Sequence, residues 1–120
     1  MASPGPTELY ASKLTTPAKA VSSIADGETV SVGMAIGQPP ALLAALAVRL
    51  RANDLRGIRV YYKIAMEPLA KSLLAEDVIE KVDAHSFFMG GPDHELVKHQ
   101  VKTGKKVVSS CRCISATTCR

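Results

Sequence analysis

Residues 28–51, ETVSVGMAIGQPPALLAALAVRLR, decide the fold, because they predict a strand, a glycine-containing loop and a helix in direct succession. Residues 29–32 are mostly β-branched, which favours a strand. Pro39 and Pro40 suit the first positions of a helix, where the N–H that proline lacks has no partner in any case. The leucines that follow have the spacing of one helix face: Leu42, Leu43, Leu46 and Leu50. The stretch is therefore typical of the opening unit of an α/β domain.

The loop inside this unit, residues 33–38, is the first candidate for a binding site. It places backbone N–H groups and the start of a helix at the carboxyl end of a strand, where anions and polarised oxygens bind well. Its glycines, Gly33 and Gly37, match neither the dinucleotide-binding pattern nor a P-loop, since no Gly-Lys-Ser/Thr follows. The spacing alone leaves two interpretations open, a tight strand-to-helix connection and a ligand-binding loop.

The rest of the chain alternates between helical and strand patterns. After a disordered lead-in at 1–8, the remaining predicted elements are a helix from Thr16-Pro17, a strand at 58–62, a helix from Glu67, a helical piece at 76–82, a strand at 85–89, a helix at about 93–102 ending at Gly104, and a strand from 106 to 109. This alternation predicts an α/β fold with a mostly parallel open sheet, right-handed crossovers and helices on both faces.

Composition and charge narrow the class of protein. At 120 residues the chain has room for one small domain, and with 4% aromatic residues its core must be aliphatic. No run approaches the roughly 18 apolar residues of a membrane span, and the first residues carry no signal-peptide pattern, so we expect a cytoplasmic protein without membrane contact. Residues 1–109 hold 13 of the 15 basic and all 11 acidic residues, a net charge of +2. Because no basic stripe is interleaved with aromatics, nucleic acid is not an expected partner.

The spacing of the histidines and cysteines does not predict a metal site. His94 and His99 are five residues apart, rather than the three or four that bring side chains together on a helix, and His85 begins the predicted third strand. The three cysteines all lie near the C-terminus: Cys111, Cys113 and Cys119. This distribution indicates a break in composition rather than a disulfide framework.

Three stretches, SVGMAIGQPPALLAALAVRL, YYKIAMEPLAKSLLAE and HSFFMGGPDHEL, resemble the N-terminal domain of the acetyl-CoA hydrolase/transferase family. This family is a branch of the family I CoA-transferases and includes 4-hydroxybutyrate CoA-transferase. The resemblance covers residues 9–109, nearly everything before the cysteine-containing tail. It implies a CoA-transferase-like α/β domain within a several-fold longer, homo-oligomeric enzyme of acetate and acyl-CoA metabolism.

The chemistry that this resemblance implies is the movement of CoA between acyl groups, or from acyl-CoA to acetate or water. Coenzyme A and a small carboxylate are then substrates, and no bound cofactor is expected. A glutamate of the family attacks the thioester and passes through an acyl anhydride and a glutamyl-CoA thioester. That glutamate belongs to the family's C-terminal domain, and no position of this chain matches it. The chain is therefore expected to be an N-terminal fragment without the catalytic group, inactive alone.

The resemblance also implies a pocket for the acyl group or CoA, lined by loops that follow strands. The candidate lining residues are Gly33, Gly37, Gln38, Pro39, Gly90 and Gly91. Gln38 is the candidate donor of a hydrogen bond to the thioester oxygen. Glu67 is the one carboxylate placed just after a strand, which makes it the only candidate nucleophile inside the chain. Its alternative role is in the first turn of a helix, where negative charge suits the helix dipole.

The last segment, residues 110–120, interrupts the resemblance. Family members continue the fourth strand into a motif like Val-Pro-x-His-Phe-Ser, and one choice of codons for the tail yields such a motif after insertion of a single base. We therefore interpret 110–120 as a frameshifted tail, which sequencing of the coding DNA through codon 110 tests.

Two alternatives to the CoA-transferase fragment remain. One is an α/β module that binds CoA or another phosphate-bearing ligand at residues 33–38 without catalysis. The other is a sugar-phosphate isomerase, because that fold group also opens with strand–loop–helix units. The sequence shows no acid–base constellation near the loops, which counts against the isomerase.

Overall fold

A computed structural model describes residues 3–105 and 108–110, and these form a four-stranded sheet with strand order β1-β2-β3-β4 and every neighbouring pair parallel. The strands are β1 Thr29–Val32, β2 Ile58–Tyr62, β3 Val82–Ser86 and β4 Val108–Ser110. The helices are α1 Pro6–Lys13, α2 Pro17–Val21, α3 Pro40–Arg51, α4 Glu67–Lys71 and α5 Gly91–Thr103, with short 3₁₀ turns at Ala35–Gly37 and Ile79–Lys81. The predicted α/β class and the parallel open sheet are confirmed.

The core lies between the sheet and the helices. Alternate residues of β2, namely Ile58, Val60 and Tyr62, are buried against it, as the period of two along a strand requires. The helices supply leucines at helical spacing to the same core: Leu43, Leu46, Leu50 and Leu69. The core is aliphatic apart from Tyr62, in agreement with the low aromatic content.

The helices that the structure describes do not cover both faces of the sheet, which corrects one part of the predicted architecture. The core cluster joins side chains of α2, α3 and α4 to the face of the sheet that carries Val60, and Asp93 of α5 bonds to Tyr62 on that same face. The physical reason is the strand order. Successive right-handed crossovers between neighbouring strands in one direction place every connecting helix on the same side. Alternation along the sequence predicts parallel strands, but it does not predict their order.

Several element boundaries differ from the predicted ones. The third strand spans residues 82–86 rather than 85–89, because alternate residues from Val82 onward are buried, whereas Phe87 and Phe88 lie exposed in the loop that follows. The predicted helical piece at 76–82 is reduced to the second 3₁₀ turn. α1 begins inside the stretch predicted to be a disordered lead-in, with Pro6 at its first position.

Other local predictions agree with the structure. The Thr16 hydroxyl accepts a hydrogen bond from the Lys19 N–H and caps α2, and Gly104 ends α5 with a left-handed φ of 71°. Residues 106–107 and 111–120, which include most of the predicted frameshifted tail, lie outside the described residues. None of the helices in 3–105 is long and apolar enough to cross a bilayer.

Candidate functional site

Three loops meet at the carboxyl edge of the sheet, where the sequence places the candidate residues. We name them the first loop (33–38), the second loop (63–66) and the third loop (87–91), after β1, β2 and β3. The backbone N–H groups of Phe87 and Phe88 donate to the carbonyls of Tyr62 and Lys63, at 3.0 and 2.9 Å. These bonds continue the β2–β3 ladder and fix the third loop against the second.

The first loop folds back on itself so tightly that Gly33 has a structural reason to be glycine. A Cβ at Gly33 would lie 2.6 Å from the carbonyl oxygen of Gly37, a separation that side chains do not tolerate against backbone. Gly37 differs, because a Cβ built there meets open space. The tight shape of the turn thus depends on Gly33, whereas Gly37 leaves its backbone open to solvent.

Gln38 faces inward rather than toward solvent. It is 3% exposed, and its side-chain N–H donates to the carbonyl oxygen of Ile64 at 2.7 Å. Its other side-chain atom, Oε1, is buried and has no hydrogen-bond partner. Gln38 therefore ties the first loop to the second, and the predicted donor role toward a thioester oxygen remains a prediction.

The third loop is held by a buried carboxyl group that the sequence analysis did not single out. Asp93 is fully buried, and its Oδ2 accepts a hydrogen bond from the Gly90 N–H at 2.9 Å, which caps α5. Its Oδ1 accepts a hydrogen bond from the Tyr62 hydroxyl. A Cβ at Gly90 would make ordinary contacts with Ile64, at 3.7 Å. The carboxyl group occupies the N-terminus of α5 and accepts the hydrogen bond of the Gly90 N–H, so this N–H is not free for another ligand.

The Tyr62 hydroxyl is held in its neutral form. Burial raises its pKa above the ordinary value near 10, and the hydrogen bond to Asp93 raises it further. Tyr62 is 1% exposed and sits at the end of β2, 31 residues before Asp93 in the sequence. Tyr62 is the buried member of the adjacent pair Tyr61 and Tyr62, because successive side chains of a strand point to opposite faces of the sheet. Asp93 has only a weak local signal in the sequence. It is an acidic residue three positions after Gly90, which is the spacing of a capping box at the start of a helix.

A groove of about 340 Å³ runs beside β1 and the first loop, between α2 and α3. Three candidate residues, Gly33, Gly37 and Pro39, line it. The other walls are aliphatic or small: Ala20, Val21, Ile24, Val30, Ser31, Val32, Leu42, Leu43 and Leu46. Its size lies at the lower end of small-molecule sites. Since no lining residue carries a titratable side chain, the groove suits an apolar group and supplies no acid or base.

The six candidate residues are therefore divided between two neighbouring places. Gly33, Gly37 and Pro39 share the groove, while Gly90 and Gly91 lie at the start of α5. Gln38 joins the two through Ile64, which contacts the Gly90 position. The described strands contain no reversal of strand order, so they do not form the crevice that such a reversal opens in an α/β sheet.

The three loops also expose large apolar side chains. Each loop contributes two, and together they are Met34, Ile36, Ile64, Met66, Phe87 and Phe88. Ile36 is 99% exposed, and the Lys63 ammonium lies 5.8 Å from the centre of the Phe88 ring. An exposed apolar set of this kind at one edge is typical of a surface that contacts a ligand or another part of a protein.

Glu67 and the histidines do not form a second site. Glu67 lies in the first turn of α4 and pairs with Lys71 one turn later; the Lys71 hydrogen bond lowers the pKa of the Glu67 carboxyl below its usual value. This position fits the helix-dipole explanation. His94 and His99 both lie on α5, and His85 lies on β3. Within 3–105 and 108–110, no three His, Cys, Asp or Glu side chains are grouped closely enough to hold a metal ion.

Comparison with solved structures finds close likeness in fold to RipA from Yersinia pestis. RipA superposes with a TM-score of 0.82 and is 38% identical over 86% of this chain. Two RipA point mutants, a glutamate-to-valine and a methionine-to-glycine variant, also match with TM-scores of 0.82, at 38% and 36% identity. The matched part is 24% of the RipA chain, so this chain spans about a quarter of the length of those proteins. No family model and no curated protein matches this chain.

Proposed function

We propose that this chain is the amino-terminal part of a CoA-transferase or acetyl-CoA hydrolase, and that it carries part of the surface for the acyl-CoA substrate. In this proposal the nucleophilic glutamate lies in a further part of the enzyme, with a small carboxylate or water as the acceptor. The chain alone then binds or positions substrate weakly and does not transfer CoA.

One observation carries the proposal: the three stretches that resemble the acetyl-CoA hydrolase/transferase family come together at one edge of the sheet. The loop in each stretch is one of the three loops, and buried polar groups link them in pairs. Gln38 bonds to the Ile64 carbonyl, and Tyr62 bonds to Asp93 beside Gly90. Segments that are separate in sequence but fixed together in space are what a preorganised substrate surface requires.

The composition of this edge also supports an incomplete catalytic site. The groove beside the first loop is apolar and has no titratable group, and the exposed Glu67 carboxyl is paired with Lys71. Such a surface can hold an acyl group but contains no activated nucleophile of the kind that covalent catalysis needs.

A CoA-transfer assay tests the proposal directly. Purified 1–120 is compared with a chain in which the reading frame is restored at codon 110 and extended to the end of the gene, with acetyl-CoA as donor and a short-chain carboxylate as acceptor. We expect transfer or hydrolysis only in the extended chain. Activity in 1–120 itself would contradict the proposal and would make Glu67 the first residue to substitute.

The role of Gln38 is tested in the active, extended chain. Gln38→Ala removes a possible donor to the thioester oxygen and also the bond to the Ile64 carbonyl. A loss in kcat of about 10²–10³ is expected for an oxyanion donor, whereas an unchanged kcat in a folded variant rules that role out. Calorimetric titration of 1–120 with CoA addresses the alternative, since tight binding without any activity in the extended chain favours a non-catalytic binding module.

A further inference from the structure

Lys63 is the only charged residue in the three loops. The first loop (33–38) and the third loop (87–91) contain no charged side chain, and Lys63 opens the second. Its side chain is exposed, and within residues 3–105 and 108–110 its ammonium group takes part in no salt bridge. The edge of the sheet that holds the candidate substrate surface therefore presents one positive charge from its loops.

The carboxylates nearest to these loops in the sequence already have partners. Glu67 pairs with Lys71 one turn later on α4. Asp93 is buried and accepts a hydrogen bond from the Tyr62 hydroxyl. Since neither carboxylate neutralises Lys63, the charge of this lysine is available to an anionic ligand.

Contacts with Phe88 hold Lys63 in place. The ammonium nitrogen lies 5.8 Å from the centre of the Phe88 ring, within the range at which a cation is attracted to an aromatic face. Phe88 is itself fixed at both backbone groups: its N–H donates to the Lys63 carbonyl at 2.9 Å, and its carbonyl accepts from the buried Ser86 hydroxyl at 2.9 Å. A lysine held in this way loses less side-chain entropy on binding a ligand than a free surface lysine does.

Lys63 also lines a cleft of about 270 Å³ at the carboxyl ends of β1 and β2. Aromatic walls are supplied by Tyr61, Phe87 and Phe88. Because the dielectric constant is lower beside such walls than in bulk water, an ammonium group there attracts an anion more strongly. The volume is below the roughly 300–1,000 Å³ of sites for drug-sized ligands, so the cleft suits a small anion with an apolar body rather than the nucleotide part of CoA.

We propose that Lys63 binds a carboxylate group of the acceptor substrate, a short-chain carboxylate whose hydrocarbon part lies against Phe87 and Phe88. The inference rests on the proposed function and adds to it the place of the acceptor. The ammonium group donates charge-assisted hydrogen bonds to the carboxylate oxygens, and the apolar walls exclude water from the chain of the acceptor.

Steady-state kinetics of the extended chain tests the proposal. Butyrate is varied as the acceptor at saturating acetyl-CoA, and acetyl-CoA is then varied at saturating butyrate. Lys63→Met removes the charge and nearly keeps the length of the side chain, whereas Lys63→Arg keeps the charge. The matched control is Lys102→Met, because Lys102 is exposed near the other end of α5 and belongs to none of the three loops.

We expect Lys63→Met to raise the KM for butyrate at least about tenfold, because a charge-assisted hydrogen bond is lost, and to change the KM for acetyl-CoA less than about twofold. Lys63→Arg should keep most of the affinity for butyrate, and Lys102→Met should match the parent. In the parent, the KM for butyrate should also rise with added sodium chloride, and this rise should be smaller in Lys63→Met.

Three kinetic results would overturn the proposal. The first is an unchanged KM for butyrate in a folded Lys63→Met variant, and the second is an equal rise in Lys102→Met. The third is a rise in the KM for acetyl-CoA alone, since the anion at Lys63 would then be a phosphate of CoA.

Calorimetric titration of the extended chain with butyrate separates this inference from the proposed function. A parent that shows neither transfer nor hydrolysis refutes the proposed function, while binding of butyrate that Lys63→Met abolishes still supports the cleft as a carboxylate site. An active parent whose affinity for butyrate does not depend on Lys63 refutes the cleft alone. An inactive parent with the same independence refutes both.

Discussion

Tyr62→Phe removes one hydroxyl from the interior, and the structure allows its cost to be calculated. The hydroxyl donates to Asp93, and both residues are at most 1% exposed, so water does not replace the lost bond. A buried hydrogen bond to a carboxyl group contributes about 1.5–3 kcal/mol, and the unpaired acceptor retains its desolvation cost. We therefore expect Tyr62→Phe to lower the free energy of unfolding by about 2 kcal/mol. The matched change Tyr61→Phe keeps the stack of this half-buried ring on His85, and we expect it to lie within about 0.5 kcal/mol of the parent.

Urea unfolding followed by far-ultraviolet circular dichroism measures both variants. With a denaturant dependence of about 1–3 kcal/mol per molar urea, the midpoint of Tyr62→Phe moves down by roughly 1 M. Hydrogen exchange adds a local measurement, since loss of the Tyr62 bond to Asp93 should loosen the cap and raise exchange at the Gly90 amide. A Tyr62→Phe midpoint equal to that of the parent would refute the assignment of the buried pair as a stabilising link, as would an equal loss in Tyr61→Phe.

Three further outcomes follow from the same structure. Above pH 10 the unfolded chain loses the Tyr62 proton while the folded chain keeps it. The free energy of unfolding therefore falls with rising pH by up to about 1.4 kcal/mol per pH unit. In urea titrations, the difference in stability between the parent and Tyr62→Phe should shrink over this range. Gly33→Ala forces the Gly37 carbonyl to move and should cost about 1–3 kcal/mol, whereas Gly90→Ala, with contacts of 3.7 Å, should cost under about 0.5 kcal/mol in the same titration. Arg49→Met removes bonds to the carbonyl of Val21, at the end of α2, and to that of Ile24, together with the ion pair to Asp54. Thermal unfolding should show a loss of about 1.5–3 kcal/mol.

Local patterns in the sequence were sufficient for features that depend on neighbouring residues. β2 begins and ends where its alternation predicts, and α3 begins beside Pro39. The pair Tyr62 and Asp93 could not be found in this way, because the two residues are 31 positions apart and meet only once β2 and α5 are placed. The same limit applies to the order of the strands, and with it to the bare face of the sheet. Periodicity reports which side of an element is buried, but it carries no information on which strands are neighbours.

Among the candidate residues, Gly37 is the one at which a substitution best distinguishes an effect on substrate binding from an effect on stability. Gly33 is fixed by a backbone contact and Gln38 by its bond to the Ile64 carbonyl, so substitutions there disturb the loop before they report on a ligand. A Cβ at Gly37 meets no atom within 4 Å, and the residue lines the apolar groove. Gly37→Ala should therefore leave the free energy of unfolding within about 0.5 kcal/mol of the parent and lower the affinity for acyl-CoA in the extended chain, measured as a rise in KM. An unchanged KM in this stable variant would mean that the first loop is a connection between β1 and α3 rather than part of the substrate surface.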